Sequence, residues 1–466
     1  METSRPTLED PLVTAASEVV GGPVGEHAAP HPWWTPVRVV LAVAAVVFAL
    51  GMVLKTPCVA TNWADGQLRY AAMCYSDVPY LYTGRGFAEL LLPFSDTGGR
   101  YQVMEYPVVI GYFAFGAAAL TQAISGGADL EARRSLAVDQ VHAAPGVSTE
   151  AGLYFVVTAM LLAVVLLVAV WFMAGVHRRR PWDAMLFAAA PALALTGLIN
   201  WDILAVAMVA VALWAWTRGR LVLMGVMVGL GTATKLYPLF LLGGVLVLSL
   251  RNRRMREFAV VTSVAAATWL VVNAPVMLLG FEQWKVFWTF NSDRNADLGS
   301  WWLILQQAGH PVSTETINLV SWAAFAAACV AVLVLGLRAR RTPRLAQLAF
   351  LVVAAFLLVN KVYSPQYVLW LLPLAVLARP RWRDLLVWQA GEAFYFAAVW
   401  LYLGNITAPS ASDAPDAVYW TAIVVRILAE LYLIAVVARD VLDPWHDPVA
   451  DERLPEREES EPVPVS

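Results

Sequence analysis

The chain has 466 residues, of which 59% are hydrophobic and 14% charged. Soluble domains carry roughly 25% charged residues, so this composition places the protein in a bilayer. The formal charge of -3 comes from 32 basic and 35 acidic residues, and the basic ones are spent on short loops. That leaves no basic patch with which to hold a nucleic acid.

Residues 1–36 are polar, contain proline and have no apolar run, which excludes a secretory signal peptide and predicts a disordered cytoplasmic tail. Residues 37–54 form the first of the long apolar stretches, each about the 20 residues that cross a bilayer. The others are 151–176, 257–279, 316–337, 384–404 and 417–438. Shorter ones are 107–124, 184–199, 202–216, 221–234, 236–250, 344–359 and 366–378. Arginine-rich breaks at 177–180, 218–220, 251–256, 338–344 and 379–383 alternate with the polar clusters. Cytoplasmic loops are enriched in Lys and Arg, so the polar clusters face away from the cytoplasm. With both termini cytoplasmic, the number of crossings must be even. The odd candidate is 107–124, which is short, starts at a proline and ends in Ser125, Gly126 and Gly127. The expected fold is therefore all-α: a bundle of about twelve transmembrane helices (11–13) over residues 37–438. A long extracytoplasmic loop spans 55–105, and 439–466 forms a cytoplasmic tail that is disordered at its Glu- and Pro-rich end.

The 55–105 loop is longer than a connector needs, and loops of that length are usually functional. Its stretch 80–92 has the pattern of an amphipathic surface helix. Cys58 and Cys74 lie in it and could pair in an oxidising compartment or stay as two thiols. Asp77 follows among aromatic residues, and Glu105, Tyr106 and Pro107 close the loop. A carboxylate within hydrogen-bond reach of a hydroxyl can act as general base, although a loop aspartate more often caps a helix. Asn200, Trp201 and Asp202 form the next polar break, where Asp202 could simply cap a helix. Lys235 sits between Gly229–Gly231 and Tyr237–Pro238. A lone lysine at membrane depth either snorkels or meets an anion, and the glycine spacing is wrong for a phosphate-binding loop. Residues 285–302 place Asp293, Arg294 and Asp297 among aromatic rings, a mixture that suits carbohydrate or an interfacial loop with self-paired charges. Asn360, Lys361, Tyr363, Pro365 and Gln366 form the last break, with a second lone lysine. Arg426 and Glu430 are four apart on one helix and neutralise each other. Glu392 has no local partner, and no histidine, cysteine or carboxylate spacing suggests a metal site.

In their order and shared sidedness these pieces resemble the GT-C glycosyltransferases. More narrowly they resemble glycosyltransferase family 87, the polyprenyl-phosphate-mannose-dependent mannosyltransferases common in actinobacteria. The resemblance runs from about residue 37 to 437. It rests on Asp77 after the first span, on Glu105-Tyr106-Pro107, on Lys235 to Pro238 after the glycines, and on Asn360 to Gln366. Family members often read Tyr-Pro-Pro where this chain has Tyr106, Pro107 and Val108, and the loop holding Cys58 and Cys74 is unusual for the family. The resemblance implies an enzyme of the cell membrane with an extracytoplasmic site. It implies a polyprenyl-phosphate sugar donor and no cofactor. The acceptor would be a glycolipid, polysaccharide or protein, and transfer would invert the anomeric centre. Asp77 would then be the base. Lys235, Arg294 and Lys361 would hold the donor phosphate, and Glu105, Tyr106, Asp202, Tyr237, Asp297, Tyr363 and Gln366 would bind substrate. A transporter or flippase would usually carry internal repeats with paired broken segments, and none are visible. Another sugar, such as arabinose, is the nearest alternative within the GT-C enzymes.

Overall fold

The computed structural model describes residues 33–96, 98–407 and 416–449, and among these there are helices and loops but no strand. The expected all-helical class is met. Most of the predicted disordered tail (1–32) and the end of the C-terminal tail lie outside the described residues.

Five helices are long and apolar enough to cross a membrane: α1 (Pro36–Ala60), α4 (Val147–Ala174), α8 (Met255–Leu279), α10 (Thr314–Arg338) and α14 (Ala417–Leu442). Between them run α2 (Asp77–Gly84), α3 (Val108–Ile124), α5 (Ile203–Thr217), α6 (Leu221–Thr232), α7 (Leu241–Arg251), α9 (Phe281–Asp293), α11 (Leu345–Val359), α12 (Val368–Ala378) and α13 (Trp382–Leu403). Thr35 starts α1 by accepting from the Arg38 amide at 3.4 Å, with Pro36 at the first helical position. The buried residues of α1 (Val40, Ala44, Phe48, Gly51, Lys55 and Cys58) recur every three or four positions. They make one stripe facing the bundle, and the rest of the helix is left to lipid.

Small residues set the closest helix contacts, because backbones in a bilayer are driven together by packing rather than by water exclusion. A methyl added at Gly229 would lie 2.5 Å from the carbonyl oxygen of Ala265, and one at Gly225 would lie 2.8 Å from that of Val261. The glycines before Lys235 therefore bring α6 against α8. Gly391 plays the same part between α13 and α14, where the Ala429 methyl stands 2.7 Å from the added carbon.

The two faces differ in chemistry. On the arginine face, Arg379 is fully buried and paired with Asp384 at 2.5 Å and with Asp440. Arg344 pairs with Asp447 at 2.5 Å, which ties residues after α14 back onto the bundle. The last helix runs to Leu442, past the expected end at 438. On the opposite face, helix-breaking segments are knitted by backbone hydrogen bonds. The Asp77 amide donates to Ile199, Val109 to Ala233, Asp297 to Lys361 and Tyr363 to Leu298. Irregular backbone at this depth needs such partners, since lipid supplies none.

Three expectations are revised here. Residues 55–60 belong to α1 rather than to the loop. The stretch 80–92 is no surface helix. Ser76 caps α2 by accepting from the Val78 amide, Gly86 breaks the chain at φ 75°, and Val78, Leu81, Tyr82, Phe87 and Ala88 are buried. Its apolar residues face α4 and α3, not the bilayer surface. Residues 281–293 are helical rather than an open loop, and none of them is buried. The odd segment, α3, begins where Val109 meets the Ala233 carbonyl. It ends where Gln122 bonds Tyr82, itself bonded to Glu150 at the start of α4. Both of its ends thus meet elements of the site face.

Candidate active site

The breaks of the site face enclose a cavity of about 760 Å³. Asp77 reaches its wall at the first residue of α2. Its Oδ1 accepts from the Tyr75 hydroxyl at 2.9 Å and its Oδ2 from the Tyr106 hydroxyl at 2.8 Å. Burial pushes the Asp77 pKa above the ordinary carboxylate value. The two tyrosine hydrogen bonds and the charge of Lys235 pull it back, and Glu105 pushes it up again. Burial and the same carboxylate hold the Tyr106 hydroxyl in its protonated form, so it acts as a donor to Asp77.

Two covalent and polar anchors hold this loop in place. Cys58 of α1 and Cys74 form a disulfide with Cα atoms 5.8 Å apart. One turn earlier on α1, the buried Lys55 donates to the Tyr75 carbonyl at 2.7 Å. Lys55 is a residue the sequence reading passed over. The signal was present, in a lysine that interrupts an apolar run just where the first span was ended.

Lys235 meets an anion rather than snorkelling. Its Nζ lies 2.9 Å from Asp202 Oδ1, and its charge stands 4.6 Å from the Tyr106 ring centre. Burial works against the charged amine, but Asp202 foremost, with Tyr367 and Asp77, keeps its pKa above the usual lysine value. Asp202 also accepts from the Trp370 indole at 3.0 Å, and Trp370 stacks on Tyr237 and Tyr367 at 4.9 and 4.0 Å. Asp202 and Tyr237 thus stand behind the wall, while Lys235, Tyr106, Glu105, Tyr367 and Gln366 form part of it. Glu105 is itself paired with Arg85 at 2.7 Å.

On another side of the cavity Arg294 pairs with Asp297 at 2.5 Å, as the self-pairing reading anticipated. Lys361 donates to the Ser292 carbonyl at 2.9 Å and to Asn318 at 2.7 Å. Asn318, on α10, was not among the sequence candidates. Burial lowers the Lys361 pKa, with Asp293 opposing and Arg294 adding to the effect. Tyr363 and Asp297 lie outside the lining. Tyr363 is fully buried, its hydroxyl donates to Glu392 at 2.9 Å, and the Arg426 guanidinium stacks 3.7 Å over its ring. Glu392 therefore has a partner that sequence separation concealed, and Arg426 does pair with Glu430, at 2.9 Å. Beneath the same loop Gly299 has φ 72°, and an added methyl would collide with the Tyr395 hydroxyl and the Tyr363 carbonyl.

The remaining wall is apolar. Phe287 and Trp288 come from α9, Trp322 and Phe325 from α10, and Phe356 from α11. Trp322 is 54% exposed, and Leu319, one turn before it on α10, is 72% exposed, so the apolar wall of the cavity continues onto an exposed apolar stretch of α10. No group of three or more His, Cys, Asp or Glu residues that could hold a metal occurs among the described residues.

Residues 143–360 match the model of glycosyltransferase family 87, and over that stretch the resemblance read from the motifs is borne out. Lys235, Arg294 and Asn360 fall within the match; Asp77, Glu105 and Lys361 do not. No curated protein matches the chain. Among solved structures, a crystal structure of ArnT from Cupriavidus metallidurans bound to undecaprenyl phosphate is similar to 87% of this chain over 77% of its own. The identity is 13% and the TM-score 0.40.

Proposed function

We propose that this protein is a membrane glycosyltransferase that moves a hexose from a polyprenyl-phosphate donor to an acceptor hydroxyl, with inversion. One observation carries the reading: a single cavity holds a hydrogen-bonded carboxylate and three cations, yet its wall runs on through aromatic residues to an exposed apolar stretch of α10. A donor with a phosphate head and a hydrocarbon tail matches both parts. The family 87 match over residues 143–360 supports the transfer of sugar, and the resemblance to that family makes mannose the first sugar to test.

In this reading Asp77 takes the proton of the acceptor hydroxyl as its oxygen attacks the anomeric carbon. The bond from that carbon to the phosphate oxygen breaks, and its electron pair leaves with the lipid phosphate. Lys235, Arg294 and Lys361 stabilise the charge that grows on this phosphate, as preorganised cations do best in a site that excludes water. The arginine face lies in the cytoplasm by the positive-inside rule, so the site faces a compartment without nucleotide sugars, which calls for a lipid-linked donor. With purified protein in liposomes and radiolabelled polyprenyl-phosphate mannose, Asp77→Asn should slow transfer by about 10²- to 10⁴-fold while donor binding persists. Transfer at the wild-type rate would remove Asp77 as the base.

A further inference from the structure

One part of the cavity wall, apart from the Tyr75 hydroxyl that holds Asp77, has no place in the chemistry above. Tyr70, Tyr75 and Trp400 all line it. Tyr70 and Tyr75 stack with ring centres 6.0 Å apart and planes within 12°. Trp400 of α13 packs against both, at 6.2 and 5.1 Å. Tyr80 continues the stack behind Tyr75 at 5.7 Å, and the Arg69 guanidinium lies over Tyr70 and Tyr80 at 4.8 and 5.0 Å.

This wall is held from both sides of the chain. Gln67 donates to the Gly404 carbonyl at 3.1 Å, tying the loop to the end of α13. A methyl at Gly404 would stand 3.0 Å from the Tyr70 Cβ, so glycine allows the close approach. The amides of Cys74 and Tyr75 both donate to the Arg69 carbonyl, and the disulfide fixes Cys74 to α1.

Its position relative to Asp77 is what matters. One oxygen of Asp77 is held by Tyr106, whose ring faces Lys235. The other oxygen is held by Tyr75, which belongs to the stack. The base thus stands between a cation and a cluster of packed aromatic rings, of which Tyr70 and Tyr75 are partly exposed, that bring no charge of their own to the cavity wall. In an inverting transfer the leaving group and the attacking hydroxyl approach from opposite sides. The cationic side suits the phosphate, which leaves the aromatic side for the acceptor.

We propose that Tyr70, Tyr75 and Trp400 form an acceptor subsite for a neutral pyranose ring, so that the acceptor hydroxyl belongs to a sugar of a glycan or glycolipid. This rests on the glycosyltransferase reading. A pyranose offers an apolar face of C–H groups to an aromatic ring, whose quadrupole favours their positive edge. A free inorganic anion gains nothing from such a wall.

The test measures acceptor and donor separately, in lipid nanodiscs. Binding of n-octyl mannopyranoside, below its micelle concentration, is followed by calorimetry for the wild type, Tyr70→Leu, Trp400→Leu and Trp400→Phe. The leucine variants should weaken this binding by about tenfold, the worth of a good aromatic contact, and Trp400→Phe should recover most of it. In the transfer assay the same variants should raise the acceptor KM while donor KM stays put. Equal binding of the octyl glycoside by wild type and both leucine variants would overturn the subsite, as would no binding by the wild type. Trp400 is 3% exposed, so Tyr70→Leu, at a partly exposed site, guards against a folding artefact. Pyranoside binding that depends on Trp400 in a protein that transfers no sugar would uphold the subsite and sink the enzyme assignment instead.

Discussion

At the scale of single residues the question is how Asp77 can be both buried enough to be basic and ionised enough to work. Burial raises its pKa, and the hydroxyls of Tyr106 and Tyr75 are the first groups that oppose the rise. Removing one of them should push the value further up. A general base works only when ionised, so transfer rises with pH as the carboxyl loses its proton. Tyr106→Phe keeps the ring that faces Lys235 and deletes only the hydrogen bond to Asp77. Its pH–rate profile should therefore show the acid limb displaced to higher pH, with the greatest loss of rate below the wild-type limb. A limb that stays in place would mean that the Tyr106 hydroxyl does not tune the base.

At the scale of elements, the loop that carries Asp77 is ordered by what lies before it on α1. Lys55 and Cys58 stand one helical turn apart, and they reach Tyr75 and Cys74, two residues that are neighbours in sequence. Closing a loop of this size removes chain entropy worth about 3 kcal/mol in the entropic account. A Cys58→Ser, Cys74→Ser protein should keep its bundle, because α1 still packs by its own stripe against α4. Hydrogen exchange should quicken in residues 66–77 and stay slow in α5 and α12, with the transfer rate falling several-fold. Unchanged exchange in 66–77 would show that Lys55 and the helix cap suffice. Legibility in the sequence divides along the same line. Long apolar runs gave their helices plainly, since twenty apolar residues have few other homes. The α2 segment was misread because its period suited a surface helix, and only the packing of Tyr82 and Phe87 against Tyr154 shows it to be internal. Lys235 and Lys361 were legible as isolated cations; Asp202 and Asn318, their partners, lie 33 and 43 residues away. The Tyr70–Trp400 contact, 330 positions apart, leaves no local trace.

At the scale of the whole molecule, the fold sorts its arginine-rich breaks and its cavity onto opposite faces. Buried pairs of Arg344 and Arg379 lock one face, and on the other, where Arg133 pairs with Glu150 at 2.8 Å, hydrogen-bonded breaks open a cavity. This sorting makes the position of α3 a test of the architecture. Both of its ends touch site-face elements, so the turn after it must emerge on the site face. Single cysteines can be placed at Gly127, Asn405 and Arg340, all exposed, in a chain whose Cys329 is replaced. In intact cells a membrane-impermeant maleimide should then label positions 127 and 405, and position 340 only after permeabilisation. Labelling of 127 together with 340 would mean that α3 passes from face to face. Labelling of 405 only in permeabilised cells would place the cavity in the cytoplasm. Nucleotide sugars would then be within reach, and the reason for a lipid-linked donor would be gone.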